Sequence, residues 1–167
     1  MTALPNIPRL YTALAECLAV GIYALPLGIR FGKTATIAAS AAWALALSAF
    51  LQATGRVPLA WWIPCMAAAV GIQYLYLWVT RTISLLEAGY VCARAFVLAE
   101  LAASAEWQLH CFLWPQRSGA DSLSLLLLVV VYGGVFGCIW VLEHKHASPK
   151  GLSLIHISEP TRPEPIS

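Results

Sequence analysis

Five apolar stretches, each near the length of a bilayer crossing, alternate with short polar joints along the chain. They cover residues 10–29, 34–51, 58–79, 89–113 and 123–142. A helix needs about 20 apolar residues to cross a hydrocarbon core of about 30 Å. The pattern therefore predicts an all-α, polytopic transmembrane helical bundle of about five spans. The joints are brief: Arg30, Phe31, Gly32 and Lys33 form a basic loop, and residues 52–57 a polar turn with Gly55 and Arg56. Residues 80–88 carry Arg81 and Glu87, and 114–121 is a turn-rich linker with Pro115 and Gly119. Pro8 suits the first turn of a helix, and Pro26 is expected to bend the last turn of the first span. Glu16 reads as an interfacial carboxylate, because it lies close to the start of its span.

The stretches differ in character. The second, with ATIAASAAWALALSAF, is dense in alanine, and small side chains let helix backbones approach closely in lipid. The third opens PLAWW and closes YLYLW, with Trp61 and Trp62 at one end and Tyr74, Tyr76 and Trp78 at the other. Aromatic residues at both ends of an apolar helix form interfacial belts. The fifth, SLLLLVVVYGGVFGCIWVL, holds Gly133 and Gly137 four residues apart, a helix-packing face of the small-xxx-small kind.

Composition agrees with the pattern. The 167 residues are 60% hydrophobic and only 11% charged, with a mean hydropathy of +0.74. Soluble domains carry about 25% charged residues, so this chain has too few to cover a water-facing surface. The lipid bilayer is its expected partner and the cell membrane its expected location, in multi-pass form. A net charge of +2 with no basic run gives no footprint for nucleic acid. Cys17, Cys65, Cys92, Cys111 and Cys138 sit in apolar segments without a CxxC pair and read as small hydrophobes. His144 and His146 read as solvated residues beyond the last span. No metal site and no cofactor site is expected. Short-loop basic residues divide unevenly, with Arg30, Lys33, Arg81, Lys145 and Lys150 on one side and Arg9, Arg56 and Arg117 on the other. The positive-inside rule then places the amino terminus outside and the chain inside after Leu142.

The fourth stretch, GYVCARAFVLAELAASAEWQLHCFL, departs from the rest because it carries Arg94, Glu100, Glu106 and His110. Ionisable groups in an apolar helix face protein or a water-lined cavity. Glu106 and His110, four apart, are placed to hydrogen-bond directly. Glu87 and Arg94, seven apart, either join across two turns or each meet another helix. Glu100 needs a partner from another span; Trp107 shares its face, and Gln108 leans toward Arg94. Arg94, Glu100, Glu106, Trp107, Gln108 and His110 are accordingly the candidates for signal coupling or helix packing. One reading makes them structural glue, another makes them coupling elements, and a third makes Arg94 and Glu100 part of a permease path. No catalytic site is legible: a Gly-rich phosphate cradle, HExxH and a nucleophile with base and orienter are all absent from the sequence.

Residues 90–112, YVCARAFVLAELAASAEWQLHCF, resemble the membrane sensor region of bacterial GHKL-type sensor histidine kinases. The resemblance lies on Arg94, Ala95, Phe96, Ala99, Glu100, Ala102, Ala103, Ser104, Glu106, Trp107, Gln108 and Leu109. Residues 132–143, YGGVFGCIWVLE, look like the next helix of that family. The resemblance implies a signal-sensing membrane region, a phosphotransfer helix and an ATP-binding domain further on, and a homodimer responding to an unknown signal ligand. The end of the chain, GLSLIHISEPTRPEPIS, contains a run that resembles a translated sequencing adapter. On that reading the chain divides into a lead at 1–9, a membrane sensor-like region at 10–146 and a non-native or disordered tail at 147–167, and the gene is cut before its catalytic part.

Overall fold

The computed structural model describes residues 8–55, 57–114 and 122–146, apart from the side chains of Leu59, His144, Lys145 and His146. Five α-helices run through them: α1 Arg9–Ala24, α2 Lys33–Thr54, α3 Leu59–Thr80, α4 Leu85–Leu113 and α5 Ser122–His146. Arg56, the 115–121 linker with Arg117, the lead before Pro8 and the tail with Lys150 lie outside the described residues, as do the histidine side chains expected at the end of the fifth span.

The all-α expectation holds, but the count of about five spans is corrected. Among the described residues, three helices are long and apolar enough to cross a membrane: Lys33–Thr54, Ala60–Thr80 and Ser122–Glu143. The first expected span fails on length. Pro26 has no backbone N–H with which to continue the hydrogen-bond ladder, so it marks the end of the helix instead of a bend within it. Leu25 is a C-cap that is still helical in φ and ψ, and α1 stops at Ala24 after 16 residues. At 1.5 Å per residue that is about 24 Å, short of the hydrocarbon thickness. The fourth fails for a different reason. With 29 residues α4 is long enough, but Glu87, Arg94, Glu100 and Glu106 break its apolar run. The protein is nonetheless a polytopic, multi-pass membrane protein with several apolar spans.

Helices α1, α2, α3 and α4 close a ring in which each touches the next, and α5 lies against both α1 and α4. The most extensive contact is between α1 and α4, the two helices that are not apolar spans. Their buried faces are built from small residues: Ala13, Ala15, Ala19 and Ala24 on α1, and Ala95, Ala99, Ala102 and Ala103 on α4. Lipid provides no hydrophobic drive for helices to associate, so close backbone approach over small side chains supplies the dispersion contacts. The apolar spans show the opposite distribution. Ile37 and Leu45 on α2, Trp61 and Ile63 on α3, and Val129 and Val130 on α5 are exposed, as suits faces turned to lipid.

Individual ties fix the ring. On α2 and α3, the Trp43 and Tyr76 rings stack at 4.5 Å, and the Ser40 and Tyr76 hydroxyls share a hydrogen bond of 2.7 Å. Tyr76 is thus an interior residue and not a belt anchor, whereas Trp61, Trp62 and Trp78 stay exposed. The Tyr132 hydroxyl of α5 donates to the Tyr11 carbonyl of α1 at 2.9 Å. At one end, Arg30 N–H donates to Thr80 carbonyl and Thr82 N–H to Gly28 carbonyl, forming an antiparallel bridge between Ile29 and Arg81. A Cβ on Gly28 would meet Thr82 Oγ1, so a larger residue there would require the Thr82 side chain to turn away.

Ala99→Leu forces a branched side chain into the α1–α4 seam and is expected to lower stability by about 1–3 kcal/mol. Ala46→Leu, on an exposed part of α2, is expected to stay within about 0.5 kcal/mol. Thermal unfolding of the two variants in the same detergent compares them, and equal melting temperatures would remove the seam from its central place.

Candidate functional site

The polar groups of the bundle gather around Arg94 between α4 and α5, in a Glu16–Gln73 pair between α1 and α3, and around Glu106 and His110 on α4. The first centres on Arg94. Its Nη2 donates to Glu143 Oε1 in an ion pair between α4 and α5. The guanidinium also lies 4.6 Å from the centre of the Tyr23 ring and 5.5 Å from that of Tyr90, a cation–π arrangement. Arg94 and Glu143 side chains remain 38% and 37% exposed. In the sequence Glu143 opens the polar run Glu143, His144, Lys145 and His146 after the apolar stretch of α5, so the pair sits where the sequence of α5 turns polar. Beside it, a cleft of about 410 Å³ runs along α4 between Ala93 and Leu101.

Glu87, one of the partners considered for Arg94, is engaged elsewhere. Ser84 is the N-cap of α4 and accepts from Glu87 N–H at 3.3 Å, while Glu87 Oε2 accepts from Ser84 N–H at 2.8 Å. This reciprocal capping box satisfies two of the donors that a helix start leaves open. It is also why α4 begins at Leu85, ahead of the sequence expectation. The backbone and side-chain hydrogen bonds from Ser84 hold the Glu87 carboxyl below the usual carboxylate range.

The second site lies deeper and was only half legible in the sequence. Glu16 is fully buried, not interfacial, and so is Gln73 of α3. Gln73 Nε2 donates to Glu16 Oε2 at 2.5 Å. Glu16 Oε1 and Gln73 Oε1 are buried without a hydrogen-bond partner among the described residues. Nearby, Cys92 Sγ of α4 lies 3.6 Å from the Val70 carbonyl of α3. Gln73 escaped notice because it sits alone in a strongly apolar helix. The signal available was its polarity at the centre of that run, with Glu16 as a carboxylate on a short neighbouring helix.

Glu106 and His110 are both buried, but the direct hydrogen bond expected between them is absent: neither carboxylate oxygen of Glu106 has a partner among the described residues. His110 instead stacks on Trp107 at 5.3 Å with an interplanar angle of 6° and meets Trp114 at 5.7 Å. Glu100 is half-buried and within electrostatic reach of Arg9 on α1. Gln108 is exposed. Gly133 and Gly137 face outward, and a Cβ on either would meet nothing within 4 Å, so the close helix contact of this chain is the alanine seam. No group of three metal-ligating side chains occurs among the described residues, and the described cysteines are free thiols.

Gln73→Leu leaves the Glu16 carboxyl buried without its donor and is expected to lower stability by about 1–3 kcal/mol. The double variant Glu16→Leu, Gln73→Leu removes both polar groups and is expected to recover most of that loss. Labelling of the buried Cys92 thiol during thermal unfolding reads both, and simply additive losses would contradict the pairing. At the Glu87 cap the sign is fixed by a lowered pKa in the folded state. Its contribution is full above the ordinary glutamate value of about 4.3 and disappears as pH falls through the lower folded value. Amide exchange in the first turn of α4 should therefore quicken on acidification in the wild type, and that pH dependence should weaken in Ser84→Ala.

No protein-family profile, curated protein or solved structure matches the chain. Its fold and composition establish a helical, multi-pass membrane domain.

Proposed function

We propose that this chain is the membrane-embedded sensing portion of a signal-transducing histidine kinase of the GHKL type, without the catalytic domain. The observation that carries the reading is the Arg94–Glu143 ion pair. The two stretches that resemble the family, 90–112 and 132–143, are distant in sequence, and this pair joins them. A charged tie between the central helix and the last one is suited to pass a change in packing along the bundle. Signals biasing such contacts move two-state equilibria by differential interaction with each state. On this reading α4 receives the signal, α5 carries it onward, and the intact protein works as a homodimer with a signal ligand of its own.

A second reading draws on Glu16 and Glu106. Buried carboxylates in a membrane bundle also mark solute or proton paths, which fits a permease fragment. The source DNA beyond the His146 codon separates the two. A phosphotransfer helix and an ATP-binding domain are expected there, and a transporter-like half or a stop codon would remove the kinase reading. In membranes holding the intact kinase, Arg94→Ala is expected to change basal autophosphorylation by about fivefold or more, the lower range of allosteric coupling, at unchanged abundance. An unchanged basal level and signal response in that variant would exclude the tie as the coupling element.

A further inference from the structure

The cleft beside Arg94 has the chemistry of a phospholipid site. Its walls are apolar: Ala93, Val97, Leu98 and Leu101 line it along α4, and Tyr23 and Tyr90 flank its charged end. Val97 is 66% and Leu101 59% exposed. The described helices leave Val97 and Leu101 open although Leu98 beside them is buried, and α4 is otherwise in contact with α1, α3 and α5. From Arg94 to Leu101 the strip rises about 10 Å at 1.5 Å per residue, which suits a segment of acyl chain lying along the helix. Its volume of about 410 Å³ falls within the range of small-molecule sites, about 300–1,000 Å³.

The charged end selects the headgroup. Glu143 accepts from one nitrogen of Arg94, and a guanidinium has five N–H donors, so donors remain for a phosphate oxygen. The Glu143 carboxylate stays partly exposed beside it and favours a hydrogen-bonding cation. The pair is neutral overall but presents both signs side by side. We infer that the cleft binds a zwitterionic phospholipid carrying a primary ammonium, with its phosphate on Arg94, its ammonium on Glu143 and an acyl chain over Val97 and Leu101. Phosphatidylethanolamine has this chemistry. Phosphatidylcholine has the phosphate but an ammonium without N–H donors, and phosphatidylglycerol has no cation.

Native mass spectrometry of the delipidated full chain in detergent, titrated separately with the dioleoyl forms of these three lipids, tests the assignment. Phosphatidylethanolamine is expected to be retained about tenfold better than phosphatidylcholine, the factor that corresponds to one contact of about 1.4 kcal/mol. Glu143→Gln is expected to abolish that difference while some of each lipid is still held. Arg94→Gln is expected to reduce retention of all three, and Val97→Trp to do the same by filling the cleft with both charges intact. Arg30→Gln, a cation removed from the bundle end outside the cleft, is expected to change nothing. Equal retention of phosphatidylethanolamine and phosphatidylcholine by the wild type would overturn the headgroup assignment. Wild-type retention by Val97→Trp would overturn the cleft itself, and it remains decisive if Arg94→Gln fails to fold. Retention is read on this chain with no kinase present, so it stands or falls apart from the sensor reading.

Discussion

Close approach of α1 and α4 is the constraint on which the other contacts depend. Between helices in lipid the apolar effect is nearly cancelled, because the tails are as apolar as the side chains. What remains is dispersion at short range, which falls away quickly with a small gap. Ala15, Ala19, Ala99 and Ala102 are fully buried, and their small size lets two helices that are poor spans on their own become the axis of the molecule. Once they meet, Glu16 is enclosed and Gln73 is drawn inward from α3 to donate to it. Arg94 is left at the margin of the same contact, where Tyr23 of α1 and Glu143 of α5 reach it.

Polarity is therefore arranged by helix order. The apolar spans α2, α3 and α5 stand around the α1–α4 pair and present leucine, valine and tryptophan outward. Of the described carboxylates, the pair carries all but Glu143 of α5. An ionisable group facing lipid is costly; Glu16 and Glu106 avoid that cost by burial in the bundle, although α4 still exposes Val97 and Leu101. The arrangement also separates two kinds of polar contact. Glu16 and Gln73 are closed from solvent, whereas Arg94 and Glu143 are open to whatever lies beside the bundle.

Much of this architecture was readable from the chain. Three apolar runs of sufficient length appear directly as the helices they predict, because span length and apolarity are local properties. The abnormal character of the fourth stretch was also plain, and Arg94, Glu106 and His110 do occupy interior or inter-helix positions. Partners were not readable. Arg94 had Glu87 as a candidate two turns away, but the Ser84 cap claims that carboxylate and Glu143, distant in sequence, takes its place. Glu16 was misjudged as interfacial because distance from the start of a helix says nothing about which neighbours enclose it. Pro26 was given too small an effect: it ends α1 and so removes a span. Gly133 and Gly137 carry a local motif for close packing on a face that no described helix of this chain meets.

The bridge between Ile29 and Arg81 has a mechanical consequence. It joins the turn after α1 to the turn after α3 through main-chain atoms, so the hairpin of α1 and α2 shares a fixed point with the hairpin of α3 and α4. Sliding of one hairpin past the other would break those bonds, while rotation about the shared point would preserve them. Displacements then grow with distance from the bridge, making it a fulcrum and the far ends of the helices the long arms. Gly28 lets the Thr82 side chain pack directly against this fulcrum, so the two turns meet with no bulk between them at the point about which the hairpins would pivot.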